Sequence, residues 1–563
     1  MAPQGSVLSA ATIIMLMIVA SRILGLVRQR TLAHFFTPDD LSLFFAAFRL
    51  PDLIFEVLVF GTFSSAFIPV FTKAIKKGNY NTWDIASSVV NLGLIIFIVF
   101  AVLVGFAAPG LYGLFAPGFS PSQREEIVGL TRMLFAAQGF FVVSYVLTGV
   151  LESLRRFFVP ALAPLFYNLG IIFGTLFLAP KFGLMGPVVG VVIGSALHLF
   201  VQLPLATKLG FRFKAAINLS DDVKKIGRLA APRLIEVSFL QVSKIAELFF
   251  SSLISVASYA YYTFGNTLQL LPVGLFGTSI AKAALPTLSR ESDSPGEFRK
   301  TFLSAFYQLV FLTLPVATAL IVLRVPIIRL VYGTDIFGWE ATVQTGYVLS
   351  AFAIGVVFQS AVAILARGFY ALHDTKTPVL VSIASILLTI FIDFIFISVL
   401  ELDVWGLALA FTIGSVVQAS ALFYMLNRKI IGKSITSLLK PVLKASVASF
   451  GSGLAMFFFL KIFDRSVWVK RLSFLGRIEA TKALPFEKFV LDTRYTVNLL
   501  ILTVIVSLIG IVVYLVLSIL LKSDEVWTFF GLVKRTFIKR KVAPIPAREQ
   551  EPIAPTPTDS TPT

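Results

Sequence analysis

Residues Ser21–Arg30 read SRILGLVRQR and lie inside the first long apolar segment, roughly residues 7–36. Arg22 and Arg28 stand where a membrane-spanning helix ordinarily carries no charge. A guanidinium in the hydrocarbon costs roughly 3 kcal/mol or more, so such residues face a water-filled interior or a partner. Six positions apart on a helix, the two side chains point about 120° apart unless Gly25 bends the helix between them. In one reading, an Arg snorkels to a membrane surface or pairs structurally. In the other, the interior holds an anionic ligand, and the planar fork of Arg matches phosphate oxygens.

Composition supports the membrane reading around this stretch. The chain has 563 residues, 57% of them hydrophobic, with a mean hydropathy of +0.88. That is an integral membrane protein. Cysteine is absent, which excludes disulfides, thiolate nucleophiles and Cys-based metal sites. The three histidines, His34, His198 and His373, have no metal-ligand spacing. A charged leader with a small-residue cleavage site is not seen at the N-terminus, so the first helix is expected to be its own signal anchor. The net charge of +18 fits basic cytoplasmic loops better than nucleic-acid binding. No phosphate-binding glycine loop, zinc motif or nucleophile elbow occurs, so the chain is not expected to be an enzyme. Any work comes from an ion gradient, the membrane potential or the substrate's own gradient.

Apolar runs predict an all-α polytopic membrane protein with about fourteen transmembrane helices: 8–34, 42–70, 84–109, 127–151, 158–180, 184–207, 228–255, 257–286, 301–325, 341–370, 377–400, 403–427, 436–463 and 497–522. Lys and Arg crowd alternate loops, among them Lys73, Lys76, Arg155, Arg156, Lys208, Arg212, Arg290, Arg299, Arg428 and Lys429. This predicts both termini in the cytoplasm. Asp464–Asn498 disagrees, because it falls outside yet carries seven Lys and Arg; an external basic insertion is the preferred account.

The sequence also echoes itself. Phe60-Gly61-Thr62 with Pro69 returns as Phe276-Gly277-Thr278 with Pro286, and Gly186 with Gly194-Ser195 returns 220 residues later as Gly406 with Gly414-Ser415. Pro164 returns as Pro378. Two parallel six-helix lobes around a central cavity follow, as in an alternating-access carrier. The expected division is 1–210 for the N-lobe, 211–430 for the C-lobe, 431–522 for spans 13 and 14 with the basic loop, and 523–563 for a cytoplasmic tail. That tail begins with a basic amphipathic stretch suited to an anionic leaflet and ends in a Pro/Thr-rich segment.

Further charges fall inside the spans. Arg49 and Glu56 lie in the second; Arg233, Glu236, Lys244 and Glu247 in the seventh; Asp393 in the eleventh. Lys244 and Glu247, three apart, can pair directly. The set reads either as structural ion pairs or as a cation site with Glu247 and Asp393 as carboxylate ligands. Thr389, one turn before Asp393, adds a hydroxyl oxygen. Na⁺ prefers oxygen donors of this kind and is the candidate coupling ion.

The stretches SRILGLVRQR, FFAAFRLPD (Phe44–Asp52) and FGTFSSAFIPVF (Phe60–Phe71) resemble the opening of the MurJ/MviN lipid II flippases. So do APGF at Ala116–Phe119, RFFVPALAP at Arg156–Pro164, LPVGLFGTSIAKAALPTLS at Leu271–Ser289 and GFYALHDTKTPV at Gly368–Val379. The resemblance implies the multidrug/oligosaccharidyl-lipid/polysaccharide exporter fold, with spans 13 and 14 forming a lipid-tail groove. The implied substrate and partner is lipid II, an undecaprenyl-pyrophosphate-linked disaccharide pentapeptide, moved across the bacterial plasma membrane; cell-wall synthesis proteins are possible further partners.

By the same resemblance, Arg22 and Arg28 match two cavity arginines that meet the pyrophosphate. Gln29 replaces the acidic residue that usually follows, and Glu56 and Thr267 stand where the family commonly has Arg. Arg49 is the expected compensation, with Arg233 or Lys244 as further candidates. Ser64, Asn266, Thr267 and Lys244 are further cavity candidates. Some members bind Na⁺ between spans 7, 11 and 12, where Glu247, Thr389, Asp393 and, more loosely, Thr412 fall. The alternative functions are an ion-coupled exporter of another polyprenyl-linked glycan or of drugs, and a transport-inactive scaffold.

Overall fold

The computed structural model describes residues 7–57, 61–76, 82–432, 435–463 and 496–538, and all regular structure among them is helical. The basic loop 464–495 and the Pro/Thr-rich tail lie outside the described residues. The helices in chain order are α1 (Val7–Phe35), α2 (Pro38–Ala47), α3 (Arg49–Phe55) and α4 (Gly61–Lys76). Then come α5 (Thr82–Phe115), α6 (Pro121–Ser153), α7 (Phe158–Phe182) and α8 (Met185–Lys208). The second half holds α9 (Asp221–Ile254), α10 (Ser258–Arg290), α11 (Pro295–Val322), α12 (Arg324–Val331) and α13 (Trp339–Ala371). It continues with α14 (Lys376–Val399), α15 (Trp405–Ile431), α16 (Ile435–Phe463), α17 (Thr496–Leu520) and α18 (Asp524–Ile538). Twelve of these, α5 to α11 and α13 to α17, are long and apolar enough to cross a membrane.

The second expected span is not one helix but three. Pro51 has no N–H to give to the carbonyl of Ala47, and its ring disfavours a continuous helix there. The chain accordingly breaks at Phe48, between α2 and α3. Inside a membrane a freed carbonyl must find another donor. Thr131 Oγ1 of α6 donates to Ala47 O at 3.0 Å, and the Tyr112 hydroxyl of α5 donates to Ala46 O at 3.1 Å. The two hydroxyls also bond each other at 2.8 Å. The break turns α3 inward, so that Arg49, Asp52 and Glu56 are presented to the middle of the molecule.

The helices cluster as two halves. In the first, α7 packs along α8 and α8 along α6, while α1 lies against α7. In the second, α13 is the central helix, packed by α10, α11 and α15. Helix α9 bridges them, lying mainly along α4. Helices α16 and α17 pair with each other and attach to α11. The sequence echoes have structural counterparts. Helix α7 widens to a π-helical turn at Gly174–Leu178, and α14 does so at Ile395–Val399, 221 residues later. Gly194 lets α8 touch the backbone of Tyr167, and its echo Gly414 lets α15 touch the side chain of Thr389. The α7–α8 seam is the tighter of the two: a methyl at Gly170 or Gly174 would strike the backbone of Gly194 or Gly190.

Replacing Thr131 by Val keeps the shape but removes the shorter of the two donors to Ala47 O and leaves the Tyr112 hydroxyl at 3.4 Å. Leaving a buried carbonyl under-satisfied costs about 1–3 kcal/mol at most. Thr131→Val is expected to lower the melting temperature of the detergent-solubilised protein, while Thr131→Ser retains most of it. An unchanged melting temperature in the Val variant would refute the role assigned to this hydroxyl.

Candidate functional site

A cavity of about 500 Å³ lies between α1, α6, α7 and α10, and both Arg22 and Arg28 line it. Helix α1 is continuous through Gly25, so no break is needed to bring the two guanidiniums to one space. Gly25 is itself part of the wall, and no atom stands within 4 Å of where its side chain would be. Tyr167, Asn168 and Pro164 of α7 form the facing side, and Thr148 and Glu152 of α6 complete it. Neither arginine joins an ion pair among the described residues, and the Nε of Arg28 is buried without a hydrogen-bond partner. An unpaired guanidinium in a membrane interior is costly unless water or an anion meets it.

One end of the cavity is shut by hydrogen bonds between the halves. Gln29 Nε2 donates to Thr267 Oγ1 at 3.1 Å, and its Oε1 accepts from the Tyr332 hydroxyl at 2.9 Å. Arg30 Nη1 donates to Leu330 O at 2.6 Å, and Thr334 Oγ1 to Ala33 O at 2.7 Å. On the same face Ala260 N donates to Ser42 Oγ, and Gly118 N to Ser252 Oγ. From this closed end the wall runs along α1 to Met17, and along α6 to Glu152 and Phe157, beside the Arg155–Arg156 turn. Thr267 and Gln29, both departures from the resembled family, thus meet as a neutral amide–hydroxyl contact.

Arg49 does not join the other two arginines on this wall. Its guanidinium lies 5.8 Å from the ring centroid of Tyr259, with Asp52, Glu56 and Glu247 as its charged neighbours. It belongs to a second, largely matched polar system between α3, α6 and α9. Gln138 Nε2 donates to Asp52 Oδ1 at 2.7 Å. Lys244 Nζ reaches both oxygens of Glu56, at 2.7 and 2.9 Å, and Gln241 Nε2 donates to the same carboxylate. The expected Lys244–Glu247 pair is therefore replaced: the lysine crosses to the other half and takes Glu56. Where the resembled family carries a cation, this chain carries an anion and supplies its counter-charge from α9. Asp52, Gln138 and Gln241 were not singled out from sequence; their signal was the Pro51 break, which aims α3 inward.

The remaining candidates are placed as follows. Thr267 lines the cavity, while Asn266 accepts from Gln269 Nε2 at 2.8 Å. The side chains of Ser64, Arg233 and Glu236 lie outside the described residues. Asp393 is 3% exposed and its Oδ1 has no hydrogen-bond partner. Glu247 is near enough to Asp393 to repel it. Thr389 Oγ1 donates to Ser385 O at 3.0 Å, and Thr412 Oγ1 to Ala351 O at 2.8 Å, so both hydroxyls keep lone pairs. An all-oxygen set with a bare buried carboxylate oxygen fits a hard monovalent cation. Among the described residues no group of three acidic or histidine side chains forms a divalent-metal centre.

The sequence profile of the family described as "Lipid II flippase MurJ" matches residues 32–476. The "Probable lipid II flippase MurJ" of Vibrio cholerae is 30% identical over 410 residues, covering 70% of this chain and 77% of that protein. A protein of the same description from Thermotoga maritima is 26% identical over 514 residues, covering 90% and 94%. A solved structure, "Lipid II flippase MurJ, inward closed conformation", superposes with a TM-score of 0.71 at 26% identity, covering 93% and 99%. An inward-facing multidrug transporter of the MATE family superposes with a TM-score of 0.61 at 15% identity over 75% of this chain and 96% of that one, a likeness of fold.

The Glu56–Lys244 pair is testable by charge exchange. Both side chains are about one-third exposed, 30% and 34%, so screening limits the pair to about 1 kcal/mol. Lys244→Glu alone is expected to lower the melting temperature, and Glu56→Lys with Lys244→Glu to restore most of the loss. A double variant no more stable than the single would show that the two charges do not act as a pair.

Proposed function

The chain belongs to the MurJ family of lipid II flippases, and we propose that the cavity between its halves carries the lipid II headgroup across the bacterial plasma membrane by alternating access. One observation supports this most: two unpaired guanidiniums line one cavity in a membrane interior. The undecaprenyl pyrophosphate is an anion held on an apolar tail. Arg22 and Arg28 receive its oxygens through charge-assisted forked hydrogen bonds. The tail stays in the lipid, along the α16–α17 pair.

By the positive-inside rule we read the face with Lys73, Lys76, Arg155, Arg156, Lys208 and Arg299 as cytoplasmic, and both ends of the chain as lying on that side. The cavity then opens inward, and the contacts of Gln29, Arg30 and Thr334 close its outer end. Release to the outer leaflet requires those four hydrogen bonds to break and the inner end to close. None of them is an ion pair, so a modest differential affinity of headgroup for the two states suffices. Helix α18 presents Trp527 at 62% exposure and lies along the anionic inner leaflet.

Na⁺ is the candidate coupling ion. Glu247, Asp393, Thr389 and Thr412 would hold it, and when bound it supplies the positive charge that relieves repulsion between the two carboxylates. That bias acts on α9 and α14, which meet each other across the C-terminal half.

Losing one charge-assisted bond costs about 1.5–3 kcal/mol, so Arg28→Ala is expected to bind lipid II about 10- to 150-fold more weakly. Arg28→Lys keeps the charge without the fork and retains part of the function. As sole copies in a bacterial host, Arg28→Ala should fail to support growth at normal membrane abundance. Wild-type growth of the Arg22→Ala, Arg28→Ala double variant would overturn the assignment. Topology is checked separately: tags after residues 10 and 550 should report the cytoplasm, and a tag within 475–485 the exterior. A cytoplasmic 475–485 tag would reverse the orientation assigned to the last spans.

A further inference from the structure

The arginine cavity contains one acid. Glu152 of α6 lines it one turn beyond Thr148, near the open end. Among the described residues it joins no ion pair, and its carboxylate receives no hydrogen bond. On the neighbouring helices Glu56 is matched by Lys244 and Asp52 by Gln138, while Glu247 and Asp393 lie apart from this cavity and do not line it. A site built only for an anion gains nothing from a carboxylate on its wall, since like charge lowers affinity. A site for a dipolar headgroup gains selectivity from it, because both charges of the ligand must be met at once. Arg22 and Arg28 are on α1 and Glu152 is on α6, with α7 forming the wall between them, so cation-binding and anion-binding groups are held apart.

The ligand has that polarity. A stem peptide destined for cross-linking by acyl transfer must carry a nucleophilic primary amine, which is an ammonium at neutral pH. A cavity of about 500 Å³ suits a drug-sized ligand. A disaccharide pentapeptide overfills it, and its peptide must run toward the open end, where Glu152 stands. We propose that Glu152 receives the side-chain ammonium of the stem peptide while Arg22 and Arg28 hold the diphosphate. This rests on the reading of the cavity as the lipid II site and adds a determinant for which lipid II is accepted.

The experiment compares three lipids with the full chain in nanodiscs, by native mass spectrometry. The probes are lipid II with the free stem amine, the same lipid N-acetylated at that amine, and undecaprenyl-diphosphate disaccharide without peptide. Wild type is expected to bind the free-amine lipid about tenfold more tightly than the acetylated one. Glu152→Gln should bind the two alike, and Glu152→Asp should keep a smaller preference. Melting temperatures confirm that each variant is folded. Equal binding of the two peptide lipids by wild type, or a preference undiminished in Glu152→Gln, overturns the proposal and leaves the lipid II site intact. The peptide-free lipid isolates that site: its binding should fall in Arg28→Ala. If it does not fall, or if no lipid binds, the cavity assignment itself fails and the role of Glu152 with it.

Discussion

The carbonyl of Ala47 has no helical donor, and in a membrane that vacancy must be filled from outside the helix. Thr131 fills it at 3.0 Å, with the Tyr112 hydroxyl in support at 3.4 Å, and the geometry of the interior follows. Because the chain breaks there, α3 starts afresh with Arg49 and turns Asp52 and Glu56 toward α9. Because α3 meets α9, Lys244 reaches Glu56 rather than its own neighbour Glu247. Glu247 is thereby left to face Asp393. A single missing N–H at Pro51 thus sorts the charges of three helices, α3, α9 and α14.

The sorting produces two polar systems of different character. Around α3 and α9, carboxylates meet amides and a lysine within hydrogen-bond distance, and the net effect is cohesion between halves. Around α1, two guanidiniums and a carboxylate meet nothing among the described residues. Matched charges hold a fold together; unmatched ones, kept in a cavity, bind. The reversal of sign at Glu56 therefore does not weigh against the anion site we propose, since Glu56 is neutralised by its own partner away from the lining of that cavity.

Much of this was legible in the sequence, and the rest was hidden for identifiable reasons. Apolar runs located the long helices, because each must bury a full turn-by-turn backbone in hydrocarbon. The echo of Gly194 at Gly414, read from the sequence as a sign of two repeated lobes, has a structural counterpart in a close helix contact at each glycine. The second span was misread as one helix because it is apolar on both sides of its three charges, Arg49, Asp52 and Glu56; only the lost bond at Pro51 reveals the break. Lys244 was paired with Glu247 because spacing along one helix is visible in sequence and a partner on another helix is not. Glu152 escaped notice because Arg155 and Arg156 follow it closely, and the three together read as a loop. Arg49 was grouped with Arg22 and Arg28 by residue type, whereas helix direction places it elsewhere.

The glycine seam between α7 and α8 bears on how such a molecule can move. Where two backbones touch, as at Gly170 and Gly194, there are no side chains between them to ratchet from one rotamer to another. Sliding one helix past the other would drive every neighbouring Cβ into a carbonyl. Shear is therefore blocked along this pair, and the pair must travel as one rod. Helix α7 forms a wall of the arginine cavity while α8 sits behind it against α6, so a displacement of the wall is carried whole into the outer layer. The angular change between inward and outward states then concentrates where backbones are not in contact: at the turns flanking the pair and at the broken second span.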